Sequence, residues 1–187
     1  MRLTSRFDDA LQFAVALHRE QRRKVNDVPY IGHLLRVCGI VLEYGGTEDE
    51  AIAALLHDAL EDQNRPGLAE EILDRFGPNV LSIVRACSDT EVEPKPPWRE
   101  RKEGFLERLR TANAAVRLVQ TADKLDNVTM LLGQYRVFGP EIWKKFNGGR
   151  EGTLWYYRSV VEILRWASEN PLILELAKRV EELEKLA

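Results

Sequence analysis

The chain has 187 residues, of which 44% are hydrophobic and 30% are charged, and its formal net charge at pH 7 is -3. This composition is typical of a globular protein and excludes the disordered and fibrous classes. No apolar run approaches the roughly 20 residues that cross a bilayer, so no membrane span is expected. Two distant cysteines, Cys38 and Cys87, and the lack of an apolar leader before Asp8 predict a reducing compartment, with the cytoplasm as the default.

The first part of the chain is predicted to form amphipathic helices. Apolar residues recur at helical spacing over residues 10–17 and 40–44, on either side of a break at Pro29. Thr47 is a suitable N-cap for a further helix, predicted over residues 48–61, whose apolar residues form one stripe. The segment from Asn64 to Gly67, which includes a proline, marks the end of that helix.

The rest of the chain is predicted to be helical as well. Seven further segments have apolar residues at helical spacing: 68–76, 80–87, 99–109, 114–132, 141–146, 154–167 and 172–186. Residues 91–98, EVEPKPPW, form a proline-rich loop, and alternating runs of strand length are scarce. The sequence therefore predicts an all-α fold of eight to ten helices. A chain of this length fits one domain, residues 1–187, in which the final charged helix serves packing or contact with a second copy.

One predicted helix carries more charge than a buried position favours. In AALLHDALED, residues 53–62, spacing by four places His57 near Glu61 and Asp58 near Asp62 on the helix surface. An adjacent histidine and aspartate can offer a nitrogen and an oxygen to one divalent cation, provided that other segments supply further ligands. The pair therefore makes this helix a candidate for metal binding.

Two other segments supply suitable ligands. His33 follows a proline-containing turn, and Asp123 interrupts a predicted helix that is otherwise apolar. An unpaired carboxylate in an apolar interior costs several kcal/mol, a cost that a metal ion would remove. Asn127 lies one turn after Asp123 on the same face, where it would reach a ligand of the metal.

Each of these features also has a simpler interpretation. A histidine followed by an aspartate is often a helix terminus with a capping acid, and Asp123 could form a structural salt bridge with Arg117 or Lys124. His18 is interpreted as a surface or core histidine. The combination favours a shared metal site, because the candidate ligands come from three separate predicted helices: His33 from one, His57 and Asp58 from a second, and Asp123 from a third.

Two basic clusters interrupt this acidic chain. They consist of Arg22, Arg23 and Lys24, and of Arg99, Arg101 and Lys102. Local basic patches on an acidic protein favour a small anionic ligand over nucleic acid, for which no basic stripe or recognition motif is present. The alternative is that both clusters are solvated faces.

Several motifs resemble the HD-domain metal-dependent phosphohydrolases, and most closely the hydrolase domain of RelA/SpoT proteins and the small alarmone hydrolases. The resemblance covers about residues 7–132 in consistent order. The motifs that carry it are FAVALHREQRRKVNDVPYIGH, IAALLHDALEDQ, RFGPNVLSIVRACSDT, RERK and VRLVQTADKLDNV. It implies an HD-type helical bundle with a core metal site within residues 18–132 and C-terminal helices within residues 139–187.

The resemblance also implies roles for individual residues. His33, His57, Asp58 and Asp123 match the family's ligands to one divalent metal ion, usually Mn²⁺. Glu61 and Asp62 match the acidic pair credited with activating water. The residues that match contacts to the nucleotide are Arg23, Lys24 and Asn127.

The expected activity is removal of the 3′-pyrophosphate from an alarmone nucleotide, (p)ppGpp or (p)ppApp. Arg23, Lys24 and Arg150 would bind phosphate oxygens, since guanidinium groups suit bidentate contacts. One alternative is a phosphatase of another nucleotide, such as a nucleoside phosphate or NADPH, and a second is a non-catalytic nucleotide-sensing module. Nucleic acid and membrane partners are not expected, whereas a homo-oligomer remains open.

The sequence departs from the family pattern at several positions. Leu34 stands where a proline is common, Gln63 and Asn64 where a threonine often follows the acidic pair, and Asp126 where an aromatic or basic residue is more usual. Asp126 adds a negative charge near the site. Three aromatic residues could stack on a base or pack in the core: Trp98, Tyr156 and Tyr157.

Overall fold

A computed structural model describes residues 2–63, 65–90, 94–167 and 170–187. Within these ranges the chain forms nine α-helices and a 3-10 helix, Gly139–Lys145, and its β-structure is limited to an isolated bridge between Arg22 and Pro29. The predicted all-α fold is therefore confirmed. The helices are α1 (Ser5–Leu17), α2 (Ile31–Glu43), α3 (Glu48–Leu56), α4 (Ala59–Asp62), α5 (Leu68–Cys87), α6 (Trp98–Thr111), α7 (Ala114–Phe138), α8 (Gly149–Ala167) and α9 (Pro171–Leu186).

Helix α3 lies at the centre of the molecule. Its N-terminus carries a capping box, in which the Thr47 side chain accepts from the Glu50 backbone N–H while the Glu50 carboxylate accepts from the Thr47 backbone N–H. Every residue from Ala51 to Leu56 is fully buried, because α1, α2, α5 and α7 all pack against this helix. Its C-terminal end therefore delivers His57 into the core.

The predicted continuous helix over residues 48–61 is wrong in one respect. Helix α3 ends at Leu56 and α4 begins at Ala59, so His57 and Asp58 lie at the junction between them. Asp58 has φ -98° and ψ 0°, the bridge conformation between helix and strand, in which a regular helix does not continue. The regular helical spacing that predicted His57 near Glu61 and Asp58 near Asp62 therefore does not apply across this junction.

Helices α5 and α7 frame the same region. Gly77, with φ 86°, divides α5 at a kink that separates the two helical segments predicted over residues 68–76 and 80–87. The left-handed conformation at this position suits glycine. Helix α7 begins at an N-cap, Asn113, whose side chain accepts from the Val116 backbone N–H at 2.9 Å. It then packs against α2, α3 and α9 and buries both Asp123 and Asp126.

The C-terminal helices complete the bundle. Helix α9 packs against α7 and α8 through a buried apolar face that runs from Leu172 to Leu183, which accounts for the predicted packing role of this charged helix. The predicted helix over residues 141–146 is a 3-10 helix in the structure. Among the described residues, no helix has both the length and the apolar character that a membrane crossing requires. Asn64 and residues 91–93 of the predicted proline-rich loop lie outside the described residues.

Candidate active site

Four predicted ligands meet where α2, α7 and the junction between α3 and α4 converge. The His33 Nε2 atom lies 3.2 Å from Asp123 Oδ1 and 3.6 Å from Asp58 Oδ2. The His57 Nε2 atom lies 3.1 Å from Asp58 Oδ2 and 3.5 Å from Asp123 Oδ1. His33, His57 and Asp58 each place a ligand atom within 4.8 Å of the others, close enough to share one cation.

The two imidazoles are held so that their Nε2 atoms face this cluster. His33 Nδ1 donates to Asp126 Oδ2 at 2.6 Å, and His57 Nδ1 donates to the Ala54 carbonyl at 2.8 Å. Both Nε2 atoms are buried and have no hydrogen-bond partner among the described residues. A buried nitrogen without a partner is costly, so two of them directed at two carboxylates fit a divalent metal ion.

The electrostatics of the cluster agree with a cationic occupant. Burial lowers the pKa of His33, but the neighbouring carboxylates of Asp123, Asp126 and Asp58 outweigh it and raise the pKa to about 9. The adjacent imidazoles hold the pKa of Asp58 well below its ordinary value despite burial. Positive charge, whether protons or a metal ion, is therefore strongly favoured between these side chains.

Asp123 has a divided role. Its Oδ2 atom accepts from the Lys124 ammonium group at 2.5 Å, which is the structural salt bridge that the sequence left open. Its Oδ1 atom faces the two imidazoles and also accepts from Asn127 Nδ2 at 2.5 Å. The salt bridge and the ligand position therefore use different oxygens of the same carboxylate.

The basic loop before α2 connects to the cluster through Asn127 and Tyr30. Arg23 donates to Asn127 Oδ1 at 2.8 Å, and its guanidinium group lies 5.5 Å from the centre of the Tyr30 ring. The Tyr30 hydroxyl donates to Asp58 Oδ2 at 2.6 Å. The sequence indicated Arg23 and Asn127 but not Tyr30, whose only sequence signal is its place between Pro29 and His33.

Glu61 and Asp62 lie beside the cluster and belong to α4. Glu61 accepts from the Asp89 backbone N–H at 3.2 Å and from Lys95, while Asp62 accepts from Gln21 Nε2 at 2.7 Å. Burial, with the nearby Asp58 charge, raises the pKa of both carboxyl groups above their ordinary values. A raised pKa makes these carboxylates stronger proton acceptors than ordinary ones, which suits a general base.

A cavity of about 400 Å³ opens above these acids. Part of both basic clusters lines it, so these residues do not simply form solvated faces. Its cationic residues are Arg22, Arg23, Lys24, Arg101, Lys102, Lys124 and Lys145, and its aromatic residues are Tyr30, Trp98, Phe105, Phe146, Tyr156 and Tyr157. Its acidic residues are Asp58, Glu61, Asp62, Asp89 and Asp123. The cavity thus combines a candidate metal centre with groups that can bind phosphates and an aromatic ring.

Asp89 organises the cationic wall, a role that the sequence did not indicate. Its Oδ2 atom accepts from Arg101 at 2.6 Å and from Lys102 at 2.7 Å. Burial raises the pKa of Asp89, but Lys102 and Arg101 outweigh it and lower the pKa to about 2. Asp89 therefore stays ionised and holds both cations at the cavity surface.

Trp98 forms the far wall of the cavity. Its indole ring packs edge-on against Trp155 and Tyr156 and lies directly over Gly148 and Gly152. A Cβ atom on Gly148 would lie only 2.6 Å from the ring, so a glycine is needed there for this close approach. Trp98 and Tyr156 therefore pack in the structure and line the cavity at the same time.

Three residues considered in the sequence analysis do not line the cavity: His18, Arg99 and Arg150. Arg150 does not line it, and its guanidinium group donates instead to the Ala187 carbonyl at 2.9 Å. His18 is buried and its Nδ1 atom contacts Gln21 Oε1 at 2.6 Å, which confirms its interpretation as a core histidine. Arg99 of the second basic cluster pairs with Glu103 and also points elsewhere.

This helical fold, with two histidines and two aspartates brought together at one site, is that of the HD-domain proteins. Residues 10–154 match the family model described as the HD domain, and the chain belongs to this family. The chain is 32% identical over 170 residues to guanosine-3′,5′-bis(diphosphate) 3′-pyrophosphohydrolase MESH1 of Drosophila melanogaster, with 89% of each chain covered.

Other relatives extend this similarity. A solved structure described as a metazoan ortholog of SpoT that hydrolyzes ppGpp superposes with a TM-score of 0.79 and 31% identity, covering 97% of both chains. A guanosine-3′,5′-bis(diphosphate) 3′-pyrophosphohydrolase of Aquifex aeolicus is 39% identical over 124 residues, which is 65% of this chain but only 17% of that much longer relative.

Proposed function

We propose that this protein is a metal-dependent hydrolase that removes the 3′-pyrophosphate from (p)ppGpp or its adenine counterpart. The names of the relatives from fly and Aquifex, each a 3′-pyrophosphohydrolase of guanosine-3′,5′-bis(diphosphate), support this substrate class. The observation that carries the proposal is the pair of buried, unpartnered Nε2 atoms facing two carboxylates at a cavity lined with cations.

The proposed metal ion is Mn²⁺, held by His33, His57, Asp58 and Asp123. Two nitrogens and two oxygens from histidine and aspartate side chains suit a divalent transition metal. When bound, such an ion lowers the pKa of a coordinated water and neutralises charge on the attacked phosphate. Tyr30 and Asn127 would fix the orientation of the two carboxylates through the hydrogen bonds described above.

Glu61 is the proposed base, assisted by Asp62. Burial raises the pKa of both carboxyl groups, which makes them stronger acceptors for the proton of the attacking water. The Asp89 backbone N–H and Gln21 hold the two carboxylates in place on α4. Water attack on the phosphorus next to the 3′-oxygen breaks that P–O bond, so ppGpp and water give GDP and pyrophosphate.

The cationic wall is proposed to bind the phosphates. Arg23 and Lys24 approach from the loop before α2, while Arg101 and Lys102 approach from α6. Guanidinium and ammonium groups in a partly enclosed site form strong, charge-assisted hydrogen bonds with phosphate oxygens. Trp98 and Tyr156 would then offer an aromatic surface to the base.

The test is turnover of ppGpp by the purified protein with Mn²⁺, followed by identification of the products. We expect GDP and pyrophosphate, and we expect chelation of the metal to stop the reaction. Release of orthophosphate from another nucleotide would instead indicate a phosphomonoesterase. Tight binding of ppGpp without hydrolysis would indicate a sensing module, and either result would contradict the proposal.

We also propose that the protein acts in the cytoplasm. Cys38 and Cys87 are free and buried, and burial raises the pKa of Cys38 to about 12 and that of Cys87 to about 11. Thiols held in this protonated, inaccessible state suit a reducing compartment. Fractionation of the cells that express the protein, followed by immunoblotting, would test this location.

A further inference from the structure

The His33 ring lies between two carboxylates that come from the same face of α7. Asp123 Oδ1 faces the Nε2 atom at 3.2 Å, and Asp126 Oδ2 accepts from the Nδ1 atom at 2.6 Å. Because residues three apart share a helix face, one helix contacts both nitrogens of a single imidazole. The His33 side chain is fully buried, and the Asp126 side chain is 5% exposed.

Arg36 completes this arrangement from α2, one turn after His33. Its Nε atom donates to Asp126 Oδ1 at 2.5 Å and its Nη2 atom donates to Asp126 Oδ2 at 3.1 Å. This bidentate pair holds the carboxylate plane and balances its charge, so Asp126 stays ionised next to the imidazole.

The second histidine is held differently. His57 Nδ1 donates to the neutral carbonyl of Ala54, three residues earlier on its own helix. A carboxylate acceptor makes an imidazole a stronger electron donor at its other nitrogen than a carbonyl acceptor does. The two imidazoles that face the cluster are therefore unequal, and the difference is set by Asp126.

We propose that Asp126 and Arg36 form a positioning pair that fixes the tautomer of His33 and strengthens it as a metal ligand. The inference rests on the proposed metal site but is independent of which nucleotide is hydrolysed. Neither residue lines the large cavity, so a change here would not remove a substrate contact.

The experiment is titration of Mn²⁺ into metal-stripped protein by calorimetry, without nucleotide. Loss of a carboxylate that orients a metal-bound histidine typically weakens metal affinity by about 10- to 100-fold. We expect Asp126→Ala to raise the Kd for Mn²⁺ within this range. Asp126→Asn, whose amide oxygen can still accept from Nδ1 but carries no charge, should raise it less, and Arg36→Met less again.

The matched control is Glu43→Gln. Glu43 lines the same surface groove as Arg36 and Asp126, so this variant removes one negative charge without touching His33. Its Kd should equal that of the wild type. Nitrogen-15 spectra with Zn²⁺ bound should show the Nδ1–H tautomer of His33 in the wild type and a changed Nδ1 environment in Asp126→Asn.

The outcomes separate this inference from the proposed metal site. Wild-type protein that binds no Mn²⁺ would overturn the metal site itself, along with the pair's role. Tight Mn²⁺ binding that is unchanged in Asp126→Ala and Arg36→Met would overturn the positioning role alone. Far-ultraviolet circular dichroism establishes that each variant is folded, and the half-exposed Arg36 provides a test if a variant of Asp126 does not fold.

Discussion

The metal end and the aromatic end of the cavity are built in different ways. At the metal end, side chains from α2, from α7 and from the junction between α3 and α4 converge, and each proposed ligand is held by a second residue. At the aromatic end, α6 and α8 pack through ring contacts around Trp98, next to cations held by Asp89. The first arrangement fixes the position of atoms for chemistry, whereas the second shapes a surface for a ligand. We therefore expect changes at the metal end to affect kcat and those at the aromatic end to affect KM.

The largest effect should come from Asp58→Ala. This change removes one proposed ligand oxygen and the acceptor of the Tyr30 hydroxyl, so metal content and activity should both be lost. The helical fold should persist, because Asp58 lies at a helix junction outside the apolar core. Metal analysis and circular dichroism measure the two properties. A variant that retains a full complement of metal would show that the ligand set is wrong.

Glu61→Gln should reduce kcat by about 10²- to 10⁴-fold, the usual contribution of a general base. The Kd for Mn²⁺ should not change, since Glu61 is not a proposed ligand. In the wild type, burial raises the pKa of Glu61, so kcat should fall as the pH drops through a value above 4.5. Rapid kinetics across pH would measure this acid limb. Glu107→Gln, on the exposed face of α6, serves as the control, and an equal loss there would contradict the assignment.

Asp89→Asn tests the carboxylate that holds Arg101 and Lys102, next to the backbone N–H that holds Glu61. The pKa of Asp89 is lowered from 3.8 to about 2 in the folded protein, which corresponds to about 2 kcal/mol of stability. A depressed carboxyl pKa stabilises the fold above the unfolded value and loses this contribution as the pH falls from about 4 to about 2. Urea unfolding should show a destabilised variant near neutral pH and convergence with the wild type in acid. A difference that does not change with pH would contradict this explanation.

Gly148→Ala should have the smallest effect and should be confined to the aromatic end. The added Cβ atom would displace the Trp98 ring, and overpacking of this kind costs about 1–3 kcal/mol. We expect a higher KM for ppGpp with kcat and the Kd for Mn²⁺ unchanged. Gly133→Ala is the control, because a Cβ atom there meets nothing within 4 Å. Equal changes in kcat and KM would show that the two ends do not act separately.

The sequence indicated the four side chains that cluster at the metal end better than it indicated their surroundings. His33, His57, Asp58 and Asp123 could be found because charged residues within apolar helical patterns are a local signal. Asp89 and Tyr30 carry no such signal, since their roles depend on which helices pack together. Asp126 was visible only as an extra charge, and its contact with His33 requires the packing of α2 against α7.

The errors have the same origin. The predicted helix over residues 48–61 follows helical periodicity, but Asp58 takes a conformation in which α3 does not continue. Arg150 was chosen by charge, and the packing of α8 directs it to the C-terminal carbonyl. Residue type and spacing predicted the elements and the all-α class, whereas the positions of long side chains depend on tertiary contacts.

Helix α3, which positions His57 at the metal end, has no solvent-exposed face along its second half. Residues from Ala51 to Leu56 are enclosed on all sides, so α3 cannot tilt or slide without opening the contacts of four neighbouring helices. The geometry around His57 should then be lost only when the whole bundle melts, not in an earlier local step. Heating would therefore inactivate the protein and unfold it in a single transition.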